Sequence, residues 1–391
     1  MASEIASPEE TEAAEAPAVA EAAPSALSAP SSPRDLMVRK LIDIIVLPAS
    51  RISANERSLT ADILLQIADK VEESLRIEIA RRVARVPEAP PVLVRMLLLD
   101  EPSVAAPIIK GAEHLPEALL LEAVKNGVTA HREMIARRLD LTTPVVDCML
   151  EFNEPEVARC LLRRDEFAFS PWAMDILVSR STTDTDLQAL LLRRRELEPA
   201  HGFMMFWWVD SERRKRILSR FSLDRTILQD ALRDLYPPTF RPGATPDPVV
   251  KEILTMLDRR HRPRGLNGET VTMDVVKRTL SASRDYPAQE ITLAVSMIAG
   301  ISLELAARIL RDASGEPFAV TCKSLGVSRG DFYEMITNGG GALPAEHADE
   351  LLAIFDSISR DFSRAILRYW DWDGNPRIAR ITRLLNIDIA Q

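Results

Sequence analysis

The chain has 391 residues, of which 46% are hydrophobic and 27% charged, enough apolar material for a large core. Aromatics are only 5%, and Leu, Ala, Ile, Arg and Glu dominate, which favours helices over sheets. A net charge of −9 argues against a basic, whole-chain nucleic-acid binder, and the lack of any run of about 18 apolar residues predicts no membrane span.

Residues 1–33 are rich in Ala, Pro, Ser and Glu and poor in large apolar residues, which predicts a disordered acidic tail. It lacks the basic start and apolar block of a secretory signal. The first 34 residues carry six Glu against one Arg, so the rest of the chain carries only −4 of the −9. Three scattered cysteines, Cys148, Cys160 and Cys322, show no CxxC spacing. They predict a reducing compartment, no disulfide framework and no zinc site. With no span and no signal, the expected location is cytoplasmic.

From Asp35 the texture changes: Leu36, Val38, Leu41, Ile44 and Ile45 recur at helical spacing. Over 34–235 the units look alike. Pro91, Pro116, Pro144, Pro171 and Pro199 lie 25, 28, 27 and 28 residues apart, each followed by an apolar helical run. Proline suits the first turn of a helix, where its missing N–H leaves no bond unmade. Thr143 and Ser170 precede two of them and are expected N-caps. A second marker starts the other helix of a unit: Asp100-Glu101-Pro102-Ser103-Val104-Ala105 recurs 53 residues later as Asn153-Glu154-Pro155-Glu156-Val157-Ala158. Asp or Asn is the expected cap there. A period near 27 with two short helices per unit predicts an all-α, HEAT-like α-solenoid of about six helix pairs, since stacked pairs bury faces that one pair cannot. Residues 236–248 hold five prolines and are read as a linker. Beyond them, 249–391 is read as a compact helical domain, with segments near 248–260, 271–282, 288–298, 302–312, 316–325, 328–337 and 345–370, and a last helix in 376–391.

Basic residues recur at matching places in successive units: Arg81-Arg82, Lys110, Arg137-Arg138, Arg163-Arg164, Arg193-Arg194-Arg195 and Arg213-Arg214-Lys215-Arg216. Two readings stand. A stripe of guanidinium groups grips an acidic protein segment or phosphates. Alternatively the cations complement helix C-termini and pair with Asp100 and Glu154 of the next unit, forming a ladder. Phe203-Met204-Met205-Phe206-Trp207-Trp208 cannot face one side of a helix, so it meets the C-terminal domain or forms an exposed patch. Ala319–Ile336 reads as helix, Gly326-Val327-Ser328, helix, like a helix-turn-helix in which Ser328, Arg329 and Tyr333 would face DNA. Asp331 and Glu334 oppose phosphate contact there, which favours an ordinary helical corner. The Gly run at 339–341 has no strand before it and no GK[ST] after it, so it reads as a helix end. The five histidines show no metal-ligand spacing, and no catalytic order or cofactor fingerprint stands out.

The IARR strings, the D/N-E-P-x-V-A helix starts and the stretch EPFAVTCKSLGVSRGDFYEMI together resemble the bacterial, mostly alphaproteobacterial, domain-of-unknown-function family 2336, over roughly residues 35–370. That resemblance implies a helical fold and no activity, cofactor or site residue. The functional expectation is a non-catalytic scaffold or regulatory module that binds a protein partner, without cofactor or metal. Arg81, Arg82, Arg137, Arg138, Arg163, Arg164, Arg193 and Arg194 are its candidate contacts, with Trp207 and Trp208 as an apolar anchor. The alternatives are a nucleic-acid-binding HEAT-like protein that uses the arginine stripe, and an enzyme on phosphorylated substrates.

Overall fold

A computed structural model describes residues 32–68, 70–222, 270–285, 288–338 and 343–371. The proposed linker at 236–248, the segment 248–260, the Gly run and the expected helix at 376–391 lie outside the described residues. Among the described residues there are 20 helices and no strand.

The first twelve helices fall, in chain order, into six units of a first and a second helix. They are α1 (Pro33–Ile45) with α2 (Ala54–Ala68), α3 (Glu73–Val83) with α4 (Pro91–Leu98), and α5 (Pro102–Gly111) with α6 (Glu117–Asn126). Then come α7 (Thr129–Ile135) with α8 (Thr143–Leu150), α9 (Pro155–Leu162) with α10 (Pro171–Arg180), and α11 (Thr185–Leu191) with α12 (Pro199–Met205). The first helices pack on one another in order from α1 to α11. The second helices do the same along α6, α8, α10 and α12, and α2 meets α4. Two helical layers result, with the core between them.

The reason lies in one repeated pattern of burial. α4 buries Leu93, Val94, Leu97 and Leu98, and α5 buries Val104, Ala105, Ile108 and Ile109. α8 and α9 bury Val145, Val146, Met149, Leu150 and Val157, Ala158, Leu161, Leu162. An adjacent pair repeated one turn later makes a face wide enough to touch both a partner helix and a neighbouring unit. Helices of seven to ten residues are too short to persist alone, so this burial holds them.

Pro91, Pro116, Pro144, Pro171 and Pro199 all sit at the start of a second helix, in its first turn or just before it. Ser170 caps α10 by accepting from the Ala173 amide at 3.0 Å. The expected cap Thr143 is instead the first helical residue of α8, behind Thr142, which makes no side-chain cap bond. Nor do Asp100 and Asn153 cap α5 and α9. The cap positions belong to Glu101 and Glu154, whose side chains make no cap bond, because Asp100 and Glu154 are drawn to arginines of neighbouring units.

α13 (Ser211–Ser222) closes the array. A terminal bundle follows: α14 (Met273–Asp285), α15 (Gln289–Ala299), α16 (Leu303–Arg311), α17 (Glu316–Leu325), α18 (Arg329–Thr337), α19 (Ala345–Ser357) and α20 (Arg360–Trp370). The expected single helix over 345–370 is thus two. Ile358 turns extended while staying buried, and the Ser359 hydroxyl caps α20 by accepting from the Phe362 amide. The bundle docks on the array through α20 against α12 and α19 against α13. No single described helix is long and apolar enough to cross a membrane.

Candidate functional site

The recurring basic pairs fall at the C-terminal ends of the first helices, and each pair divides. Ile79, Ile108, Ile135, Leu161, Leu191 and Ile217 are fully buried, at 0–1% exposure. Three residues after each lies Arg82, Gly111, Arg138, Arg164, Arg194 or Arg220. Three residues on is the same helix face, so these positions turn inward. The residue before each turns out, and Arg81, Lys110, Arg137, Arg163 and Arg193 are all exposed.

The inward arginines tie each unit to the one before. Arg138 donates to the carbonyls of Ile109, Ala112 and Glu113. Arg164 donates to those of Ala136 and Arg138. Arg194 reaches Arg164 and Phe167, and Arg220 reaches Leu192, Arg194 and Leu197. These carbonyls stand at helix C-termini, where the last turn lacks intrahelical donors and carries partial negative charge. A carboxylate two residues on completes three rungs: Asp140 for Arg138, Glu166 for Arg164 and Glu196 for Arg194. Of the candidate contacts, Arg138 (9% exposed), Arg194 (4%) and Arg164 (11% for its side chain) are therefore held inside the stack. Half-buried Arg82 pairs with Asp43. Arg81, Arg137, Arg163 and Arg193 remain on the surface, with Arg137 donating to the Glu133 carbonyl one turn back at 2.9 Å and lying 3.8 Å from its carboxylate.

A second ladder runs between units, and different arginines build it. Asp100 accepts both donors of Arg76, Glu154 accepts both of Arg132, and Asp184 accepts Arg159. So Asp100 and Glu154 do pair across units, but with Arg76 and Arg132 rather than with the basic pairs. The Arg132 guanidinium holds the Glu154 carboxyl below the usual carboxylate range. Burial pushes Asp140, Asp184 and Glu196 up, and hydrogen bonds outweigh it. These come from Arg138 to Asp140, from the Leu187 amide and Arg159 to Asp184, and from Arg194 to Glu196. A carboxylate lowered in the folded state contributes stability that is fully present above its unfolded value of about 4 and is lost as pH falls through the folded value. The urea midpoint is therefore expected to drop steeply below about pH 4, and Arg132→Ala to make that drop shallower.

Two histidines serve the backbone. Nδ1 of His131 accepts from the Val128 amide and Nδ1 of His201 from the Glu198 amide. Nε2 must then carry the hydrogen and donates to the Asp100 carbonyl or to Asp175. His201 with Asp175 is a buried structural pair, since neither ring nitrogen is left to take a proton from a nucleophile. Burial raises the Cys148 and Cys322 thiols, which keeps them as apolar side chains rather than nucleophiles. No group of three or more His, Cys, Asp or Glu side chains converges on a metal-sized site among the described residues.

Phe203 to Phe206 are buried where the array meets the bundle. Phe203 packs on Phe362 and Tyr369, and Phe206 and Trp207 both pack on Trp370. The Trp370 Nε1 donates to the Phe203 carbonyl at 3.1 Å. Trp207 is half-buried there, with the Arg308 guanidinium 4.1 Å above its ring, and burial pulls Arg308 down to about 10. Trp208 is also half-buried and donates to the Ser181 hydroxyl at 3.2 Å. In the basic run at 213–216, Arg214 is buried and donates to the Phe206 carbonyl, Asp312, Ser314 and Glu316.

The helix-turn-helix stretch is α17, a left-handed Gly326 (φ 82°) and α18. Its first helix is buried along most of its length, Ser328 caps α18, Arg329 pairs with Asp356, and Asp331 pairs with Lys277. Ser328, Arg329 and Tyr333 nevertheless all stay exposed, and Tyr333 is 44% exposed.

No curated protein and no solved structure matches the chain. A family model, DUF2336, described as an uncharacterised protein conserved in bacteria, matches residues 104–368. The matched stretch runs from α5 into α20 and takes in the last four helix pairs, the joint and the terminal bundle, while α1 to α4 lie before it. The chain belongs to this bacterial family.

Proposed function

We propose that the chain is a non-catalytic interaction module, a HEAT-like solenoid that holds an extended acidic segment of a protein partner along its outward cation row. One observation carries this: Arg81, Lys110, Arg137, Arg163 and Arg193 are exposed at one equivalent place in five consecutive units. Adjacent packed helices lie about 8–10 Å apart. An extended chain advances about 3.3 Å per residue, so every third residue falls at about 10 Å. Acidic side chains spaced i, i+3 in an extended segment match the row. Cations at helix C-termini need no partner for stability, and exposed ion pairs contribute only about 0–1 kcal/mol. The row is thus free to serve recognition.

Joint replacement of Arg137, Arg163 and Arg193 by Ala is expected to leave stability within about 0.5 kcal/mol per site and to abolish capture of the partner by the full-length chain. Arg194→Ala is expected to do the reverse. It removes charge-assisted bonds to two carbonyls and Glu196 and is expected to cost about 2–3 kcal/mol in urea melts. Unchanged capture by the triple variant would defeat the reading. The nucleic-acid alternative shares the same row. It predicts duplex binding whose affinity falls steeply between 50 and 200 mM salt, against the −9 charge of the chain.

A further inference from the structure

Five of the six first helices from α3 to α13 carry an arginine at the position three residues after a buried Ile or Leu, four of them bonded to carbonyls of the unit before and Arg82 half-buried against Asp43. The exception is Gly111 of α5. At Gly111 itself the two units lie close, since an added Cβ would meet the Ala84 Cβ at 3.3 Å, and the gap lies beside it. A cleft of about 470 Å³ lies between the α3–α4 and α5–α6 pairs, lined by Val83, Ala84, Val86, Ala112, His114 and Leu115, among others. Its place is that of the rungs farther along. The rung of α7 reaches back 25 to 29 residues, to carbonyls at 109, 112 and 113. The same reach from residue 111 ends at residues 82 to 86, three of which line the cleft or flank its wall. No described side chain hydrogen-bonds to a carbonyl of residues 80 to 87, whereas each rung from α7 to α13 has at least two such bonds; backbone amides take those of Ala80, Arg82, Val83 and Val86 and leave those of Ala84 and Arg85.

The carboxylate is also in place without its cation. Glu113 follows Gly111 by two residues, as Asp140 follows Arg138, Glu166 follows Arg164 and Glu196 follows Arg194. Those three pair with the arginine of their own unit. Glu113 is exposed and has no ion pair among the described residues. The slot therefore offers an apolar wall, the carbonyls of Ala84 and Arg85, and Glu113 between two lining residues, Ala112 and His114.

We infer that this cleft is a docking slot for an arginine side chain presented by a protein partner, which completes the missing rung in trans. The arginine's methylene stem would lie on Val83, Val86 and Leu115, and its planar donors would face the carbonyls and Glu113. Lysine has a compact ammonium without the guanidinium fork and fits less well. The inference rests on the reading that the partner is a protein, but its chemistry is opposite to that of the outward row. The two contacts can fail independently.

The test is methyl NMR of the full chain titrated with N-acetyl-arginine amide, with the citrulline and lysine analogues as controls. The expected result is saturable shifts at the methyls of Ala84, Val86, Ala112 and Leu115, with a Kd in the range of about 1–10 mM for so small a probe. Citrulline, which keeps shape and loses charge, is expected to bind at least tenfold more weakly. Glu113→Gln, on the surface, is expected to weaken arginine about threefold without changing the melt. Gly111→Arg installs the rung in cis. Its Cβ would meet the Ala84 Cβ at 3.3 Å, a contact a small shift relieves, and it is expected to raise Tm and abolish the shifts. Equal binding of citrulline and arginine, or an absence of saturable shifts, would overturn the slot. So would arginine binding that neither Glu113→Gln nor Gly111→Arg alters. The triple variant of the outward row leaves this titration unchanged, so failure of one reading is distinguishable from failure of the other.

Discussion

Arg214→Ala is expected to lower the stability of the chain by about 3–5 kcal/mol, because it strands a buried carboxylate. Glu316 is 1% exposed and Arg214 is 8% exposed. One guanidinium serves the Phe206 carbonyl on the array side and Asp312, Ser314 and Glu316 on the bundle side. Burial pushes the Asp312 carboxyl up, and the bonds from Ser314 and Arg214 outweigh it, so it stays ionised in the neutral range. Removing the arginine leaves the buried Glu316 carboxylate without the cation it pairs with. Replacing Arg214 and Glu316 together by apolar residues of similar size is expected to cost much less, since a buried pair contributes little net stability while a broken one is costly. Urea denaturation of the single and double variants decides it. A single variant within 1 kcal/mol of the parent would show that the hub does not bind the bundle to the array.

The helix pairs were legible because their signals are local. A proline at each second-helix start and the apolar pair repeated one turn later both act within ten residues. The division of each arginine pair was legible too, had the buried face been carried one turn on. Arg138 is i+3 from Ile135 and Arg164 is i+3 from Leu161, so one arginine of each pair had to follow the core inward while its neighbour, about 100° away, faced water. What composition hides is where an inward guanidinium goes. Its acceptors are backbone carbonyls of the unit before, and a carbonyl leaves no mark in the residue letters. The acid ladder was half legible, since Asp100 and Glu154 announced themselves, but their partners Arg76 and Arg132 stand outside the repeated basic pairs, Arg76 near the start of α3 and Arg132 in the middle of the seven-residue α7. Both are used there because their guanidinium groups reach carbonyls of the chain before the helix as well as the acid of the next unit. The joint was the least legible part. Arg214 and Asp312 are 98 residues apart, and nothing in the string RRKR marks which of four cations will be buried.

The same division bears on how a helical array of this kind tolerates change. A surface cation such as Arg163 can be altered with little cost to folding. An inward rung cannot, because each loss leaves helix-end carbonyls facing a dry gap between units. Gly111 is the place where the array lacks the arginine altogether, and its backbone is not left-handed, so glycine is not demanded for its own sake. The glycine there lets α5 approach Ala84 closely, since an added Cβ would meet the Ala84 Cβ at 3.3 Å.

Trp370→Ala is expected to be as damaging as the loss of Arg214, at about 3–5 kcal/mol for a fully buried aromatic. Trp370 is 2% exposed, its ring lies 4.9 Å from both Phe206 and Trp207, and its Nε1 holds the Phe203 carbonyl. It is the last residue of α20 and plugs the end of α12, so its side chain belongs to the bundle while its contacts belong to the array. Trp370→Phe keeps most of the apolar area and loses the Nε1 donor, and is expected to cost about 1–2 kcal/mol. The form of the melt carries the mechanism. With the joint intact, array and bundle are expected to unfold together. In Trp370→Ala the coupling is cut, and urea titration followed by circular dichroism is expected to resolve two transitions. A single transition shifted by less than 1 kcal/mol would mean that the aromatic cluster fills space at the joint without holding it.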